Sequence, residues 1–347
     1  MMKKTMRVVG SQWGQRITLL VIICVAMIFL EPKFFKPDNY ISILLAISVN
    51  GVMACGMLFT VLVGGMDLSV GSMAGMTASI TYMIAKSYNF TDGGFLTGCA
   101  LALAVCILTG FLNGFFVTRF ALPAFIVTLA IQKILHGTIF FITKGIFVLP
   151  PRYGLAYAVG NLVVFSIPLG GGNKLNIPMP VIILIAIVAV CAFVLLKTTY
   201  GRKLYAIGGN KNVANLVGIK SNANIITAFM ISSLLAGVAG ILLASQSGQA
   251  GQTTCKGYEA YVLMAMVVGG INLAGGEGGV SGAIFGALLV GIINNVMLLI
   301  SVPGDIQTFV RGVIILAAMT LNIYAKRGVL GTFKITQKKP QIASDQR

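Results

Sequence analysis

Apolar residues run along this chain in long blocks, separated by short polar or glycine-rich breaks. A bilayer core takes about 20 such residues per helix. Ten blocks meet that length, at 14–30, 40–63, 68–85, 94–118, 122–143, 178–196, 223–245, 259–275, 280–301 and 307–325. They predict an all-α polytopic membrane protein of about ten transmembrane helices. The first block follows Lys3, Lys4 and Arg7, as a signal peptide would. It has no small-x-small cleavage site and is closed by Glu31-Pro32, so it reads as an uncleaved anchor. Within 144–177, the apolar stretch 155–168 is too short to span, and reads as an interfacial or re-entrant piece of an external loop.

Composition removes the soluble alternatives. The 347 residues are 57% hydrophobic and 10% charged, with mean hydropathy +0.94. A soluble domain is about 25% charged, so too few charges remain to cover a water-facing surface. An ordinary soluble enzyme, a nucleic-acid binder and a disordered protein are excluded. The net charge of +17 then reports cytoplasmic loops. Ten spans put both termini on one side. If that side is the cytoplasm, sixteen of the 25 basic residues lie there and seven lie opposite. The expectation is one transmembrane domain over 1–347, with cytoplasmic segments at 1–13, 197–222 and 326–347.

Chemistry-bearing groups are sparse. The acids are Glu31, Asp38, Asp67, Asp92, Glu259, Glu277, Asp305 and Asp345, and none sits in the middle of an apolar block. That weighs against an ion-driven carrier, which needs carboxylates inside the membrane. His136 is the single histidine, so a histidine metal site or a Ser/His/Asp set has no basis. Lys133 and Arg311 lie in spans, where each could snorkel to an edge. Of six cysteines, five lie in apolar blocks and Cys255 in a polar loop, with no metal spacing or disulfide framework.

Glycine carries more information. Gly71-x-x-x-Gly75, Gly110-x-x-x-Gly114 and Gly282-x-x-x-Gly286 suit closely packed helices. VGGMDLSVGS at 63–72 echoes VGGINLAGGEGG at 268–279, with the same place and orientation in the span order. Two glycine-broken helices at corresponding places point to a transport path, and equally fit ordinary surface turns. The path candidates are Gly64, Gly65, Asp67, Ser69, Gly71, Ser72, Asn113, Asn272 and Asn294. Asp67 reads most simply as a helix cap, and the amides Asn113, Asn272 and Asn294 suit either helix packing or a neutral, hydroxyl-rich solute. Asn294 and Asn295 are adjacent, so at most one faces a pore.

The basic loop 197–222 contains a small amphipathic helix. Asn210 is placed to cap it, Val213, Leu216 and Val217 share one face, and Gly218 ends it. Docking into a partner groove and lying on lipid both fit that pattern.

The chain also resembles a known family. GGMDLSVGS (64–72), LPAFIVTLA (122–130), YGRKLYAIGGNKNVANLVGI (200–219), GYEAYVLMAMVVGGINLAGGEGGVSGAIFGALLVGIINN (257–295) and VRGVIILAAM (310–319) are similar to stretches of the membrane permease of the monosaccharide ATP-binding cassette importers. That group takes up ribose, xylose, arabinose and galactose. Met66, Asn272 and Glu277 depart from its pattern. The resemblance implies a multi-pass protein of the bacterial cytoplasmic membrane that is not an enzyme. It implies a second permease copy, either identical or a sister, two cytoplasmic ATPase subunits and an external sugar-binding protein. It also implies that Gly201, Gly208, Gly209, Asn210, Val213, Leu216 and Gly218 belong to the element coupled to the ATPase. ATP would be bound by those partners, because no Gly-Lys dipeptide and hence no P-loop occurs here. The alternatives are a stand-alone secondary transporter of a small neutral solute and a membrane-bound enzyme.

Overall fold

In the computed structural model, which describes residues 31–170 and 173–330, the apolar blocks form helices, several of which begin or end at proline or glycine. Helix α1 (Pro37–Leu62) starts on its proline and stops before Gly64, whose φ of +78° leaves the helical region. It is followed by α2 (Val70–Ser87), α3 (Asp92–Arg119) and α4 (Ala124–Thr143). A short helix, α5 (Leu155–Asn161), leads into strands β1 (Val163–Gly170) and β2 (Asn173–Pro178), an antiparallel hairpin. Then come α6 (Met179–Lys197), α7 (Thr199–Gly209), α8 (Lys211–Leu216), α9 (Ser221–Ser247), α10 (Tyr258–Val268), α11 (Val280–Leu299) and α12 (Gly304–Leu330).

Six of these helices, α1, α3, α4, α6, α9 and α11, are long and apolar enough to cross a membrane. They match six of the ten expected spans. The block 14–30 and the segments 1–13 and 331–347 lie outside the described residues. The block 68–85 is a full-length helix, α2, but Ser72, Thr77, Ser79 and Thr81 make it less apolar than its neighbours, and all four are buried. The block 307–325 lies within α12, which continues to Leu330, into the segment assigned to the tail. The block 259–275 departs most. Its helix, α10, ends at Val268 after 11 residues, because Gly270, Gly275, Gly276 and Gly278 all take positive φ. The stretch 155–168 divides between α5 and β1, so the 144–177 segment carries a hairpin that apolar length alone did not reveal.

The core is organised around α1. Its membrane-length window is 72% buried, whereas those of α4 and α6 are 28% buried. A helix apolar on every side belongs in the interior. Around α1 pack α6, α9, α10 and α11. Leucine and phenylalanine side chains on α3, α4 and α6, such as Leu108, Phe140 and Phe193, are exposed in numbers that suit lipid. Glycine sets the closest approaches. A Cβ on Gly110 or Gly114 would lie 2.5–2.6 Å from the α9 backbone at Met230, Phe229 and Ile226, and one on Gly75 would lie 2.5 Å from the Thr254 carbonyl oxygen. Gly110 and Gly114 therefore sit at a helix–helix contact, as does Gly286 against Ala265 of α10, whereas Gly75 packs on the irregular segment before α10.

Candidate functional site

The first glycine-broken segment, between α1 and α2, is buried. Asp67 is fully enclosed and accepts from the Ser69 N–H at 3.0 Å, from the Ser69 hydroxyl, and from the Ser232 hydroxyl of α9 at 2.8 Å. Asn113 of α3 donates from Nδ2 to the Ser69 hydroxyl at 3.0 Å, and Ser72 donates to the Ser69 carbonyl at 2.9 Å. Thr128 of α4 accepts from the Leu68 N–H at 3.1 Å. A non-helical turn inside the bundle would otherwise leave backbone and carboxylate groups unpaired, at a cost of several kcal/mol. Four helices supply those partners. Asp67, Ser69, Ser72 and Asn113 thus form one polar knot, sealed in this conformation. Asp67 does not cap α2, whose N-cap position is Ser69 with no side-chain cap; it holds the turn through the Ser69 N–H, and its second oxygen ties α9 to that turn. Ser232 and Thr128 gave no sequence signal: each is one of several hydroxyls in an apolar block, and only the fold pairs it.

The second broken segment, 269–279, closes on itself. Asn272 accepts from the Ala274 N–H at 3.3 Å and donates to the Gly275 carbonyl at 3.1 Å, so its amide organises the turn. Asn294 lies away from both segments on α11, half-buried, with its Oδ1 unpartnered. Its neighbour Asn295 points elsewhere, in a reciprocal amide pair with Asn39 at 2.7 and 3.0 Å, as adjacent helical positions require.

The two breaks touch each other. The Gly276 N–H donates to the Leu62 carbonyl at 2.9 Å, and a Cβ on Gly275 would lie 2.8 Å from the Gly64 nitrogen. The 197–222 loop joins them. A Cβ on Gly208, at the end of α7, would run into the Leu62 carbonyl and the Gly276 nitrogen. Tyr205 adds a hydrogen bond from its hydroxyl to the Gly278 carbonyl at 2.9 Å. Gly208, Leu62, Gly64, Gly275 and Gly276 therefore make a junction of backbone against backbone. Only glycine allows this approach.

The loop itself has the expected form and one more helix. Thr198 caps α7 by accepting from the Gly201 N–H, and Gly201 turns the chain tightly against the α6 terminus at Leu195. Asn210 caps α8 through Oδ1, accepting from Asn212 and Val213 N–H at 3.0 and 3.1 Å. Gly218, at φ +84°, ends the unit. Gly209 and Gly218 have open space where a Cβ would be. Ala214 faces inward, whereas Val213, Leu216 and Val217 stand 54%, 86% and 71% exposed. Beside this unit a cleft of about 270 Å³ is lined by Gly64, Gly65, Phe229 and Lys211.

Comparison with known proteins gives a consistent picture. Residues 39–319 match the family described as branched-chain amino acid transport system / permease component. The chain is 34% identical to the ribose import permease protein of Haemophilus influenzae, over 92% of this chain and 95% of that protein. It is 34% identical to the L-arabinose transport system permease protein of Escherichia coli, over 92% of each chain. It is 32% identical to the ribose import permease protein of Bacillus subtilis, over 87% of this chain and 90% of that one. No solved structure matches the chain.

Proposed function

The chain belongs to the branched-chain amino acid transport system / permease component family, and on that premise we propose that it is the permease subunit of an ATP-binding cassette importer for a monosaccharide. It is a multi-pass membrane transport protein rather than an enzyme. Relatives named for ribose and L-arabinose, similar along nearly their whole length, support a sugar as solute over an amino acid. The observation that carries the mechanism is the backbone junction. The 197–222 loop, which would receive force from an ATPase, lies through Gly208 directly on both glycine-broken segments. A displacement of α7 and α8 therefore reaches both breaks at once.

The full reading is ten spans in one domain over 1–347, placed in the bacterial cytoplasmic membrane. Its cytoplasmic segments are 1–13, 197–222 and 326–347. Two permease copies would pair with ATPase subunits, which bind the ATP, and with an external sugar-binding protein. Gly201, Gly208, Gly209, Asn210, Val213, Leu216 and Gly218 belong to the coupling element. The path is shaped by Gly64, Gly65, Asp67, Ser69, Gly71, Ser72, Asn113, Asn272 and Asn294. Transport then follows alternating access, with ATP selecting between conformations.

Reconstitution with the ATPase and binding-protein partners tests this reading. ATP-dependent uptake of at least one pentose or hexose is expected, with no uptake driven by an ion gradient alone. Gradient-driven uptake without ATP, or ATP-driven uptake of branched-chain amino acids only, overturns it. Topology is tested separately. Cysteine at Thr5 and Ser344 should be shielded from impermeant reagents in intact cells, and cysteine at Asn173 should react. Opposite accessibility of the two termini would remove the even span count.

A further inference from the structure

The segment joining α9 to α10 is irregular, and it descends into the membrane. At one end Ala250 pairs with Val148, just beyond the C-terminal end of α4, through hydrogen bonds of 2.8 and 3.0 Å. At the other end Glu259 accepts from Gln132 Nε2, near the middle of α4, at 2.7 Å. Helix α4 is itself of membrane-spanning length, so residues 250–259 run from one end of a span to its interior. One side of the segment lies on α2, with the Thr254 and Cys255 carbonyls against Gly75 and Gly71. Cys255, expected in an open polar loop, is consequently buried there. The other side exposes Gln252, Thr253 and Lys256.

Lipid cannot accept irregular backbone and uncovered polar side chains at that depth. This face must meet water or another protein. It continues onto Tyr258 and Tyr261, whose half-buried rings lie 5.3 Å apart at 58°. Arg311 of α12 stacks over Tyr261 at 4.2 Å. Its Nη2 donates to Gln307 at 3.2 Å, while its buried Nε has no hydrogen-bond partner. Aromatic faces beside a half-buried guanidinium suit a neutral polyol. The C–H faces of such a solute lie on the rings, and its hydroxyls accept from the guanidinium.

We propose that the face made by residues 252–261 and Arg311 is a wall of the water-filled solute path, and that Tyr258, Tyr261 and Arg311 contact a hydroxyl-rich neutral solute as it passes. The proposal rests on the transport reading above and names where the solute touches this chain. The sealed Asp67 knot then holds the helices that shape the path, without touching the solute in this conformation.

The test uses the whole importer, assembled with its partners in vesicles. Cysteine placed at Gln252 or Thr253 should react with a small water-soluble thiol reagent. Cysteine at Leu108, on the lipid-facing side of α3, should not. Tyr261→Ala should lower the maximal rate of monosaccharide uptake about tenfold, the size of one stacking contact on an aromatic face. The assembled complex and its basal ATP hydrolysis should be retained, and Tyr261→Phe should transport near the wild-type rate. Arg311→Gln provides a second variant should Tyr261→Ala fail to assemble, with the same loss expected. If positions 252 and 253 are unreactive, or form cross-links between two copies, the wall is not a path. If they react but Tyr261→Ala and Arg311→Gln both transport normally, the solute contact is overturned. Failure of the wild-type importer to move any monosaccharide would overturn the transport reading instead, and the labelling pattern would still report whether the face meets water.

Discussion

Gly71→Leu should reduce solute uptake to background while the permease still inserts into the membrane. Gly71 sits in the first turn of α2, where a Cβ would lie 3.0 Å from the Cys255 carbonyl oxygen and 3.1 Å from the Glu259 nitrogen, and would strike the Glu259 carboxylate. Two of those neighbours are backbone, held by the descending segment, and cannot rotate away. Overpacking of this kind costs about 1–3 kcal/mol. The more important effect is positional: the 252–261 segment must shift off α2, and the Gln132–Glu259 bond must stretch. Gly93→Leu is the matched control, because nothing lies within 4 Å of a Cβ there. Uptake measured alongside membrane abundance checks the prediction. Wild-type uptake in Gly71→Leu would show that the contact between α2 and the descending segment has no part in transport.

Leu216→Asp should detach the ATPase and leave the permease folded. Leu216 is 86% exposed and so contributes almost nothing to the fold of this chain. Burying such a side chain in a partner groove is worth about 1.5–3 kcal/mol. A carboxylate in the same groove adds a desolvation cost unless it finds a partner. Together these should weaken association at least about tenfold, since 1.4 kcal/mol is one decade. The expected result is loss of the ATPase in a pull-down and loss of sugar-stimulated hydrolysis, with an unchanged thermal transition of the permease. The lipid-surface reading of α8 forecasts intact association. Undiminished pull-down with normal transport would remove the coupling role.

Much of the fold was legible because the membrane imposes a simple code. Apolar length gave the long helices, and proline and glycine gave some of their ends, such as Pro37 for α1 and Gly248 for α9. The Asn210 cap and the Val213/Leu216/Val217 face were readable because they are local: capping and i, i+3, i+4 spacing lie within one turn. What could not be read is what the fold brings together from afar. Ser232 and Asp67 are 165 residues apart in sequence. Gly208 and Gly276 each look like an ordinary turn glycine, and only their collision course explains them. The end of α10 at Val268 was missed because the apolar run continues past it, while successive positive-φ glycines override the run. Glu259 does stand at the start of its helix, and what the sequence does not show is that the irregular chain before it sets it beside Gln132, near the middle of α4.

The junction of Gly208, Leu62 and Gly276 also sets how the 197–222 loop deforms. Side-chain contacts are compliant, since a rotamer change absorbs a small displacement before it is passed on. At this junction there are no side chains to yield, only carbonyl and amide groups in direct apposition. Interior packing of this density transmits strain rather than dissipating it. The linkage therefore has almost no backlash: the first fraction of an ångström through which α7 moves is already motion of both glycine breaks. The exposed triad on α8 is free to vary with the surface it meets, while the bearing beneath it tolerates nothing larger than hydrogen.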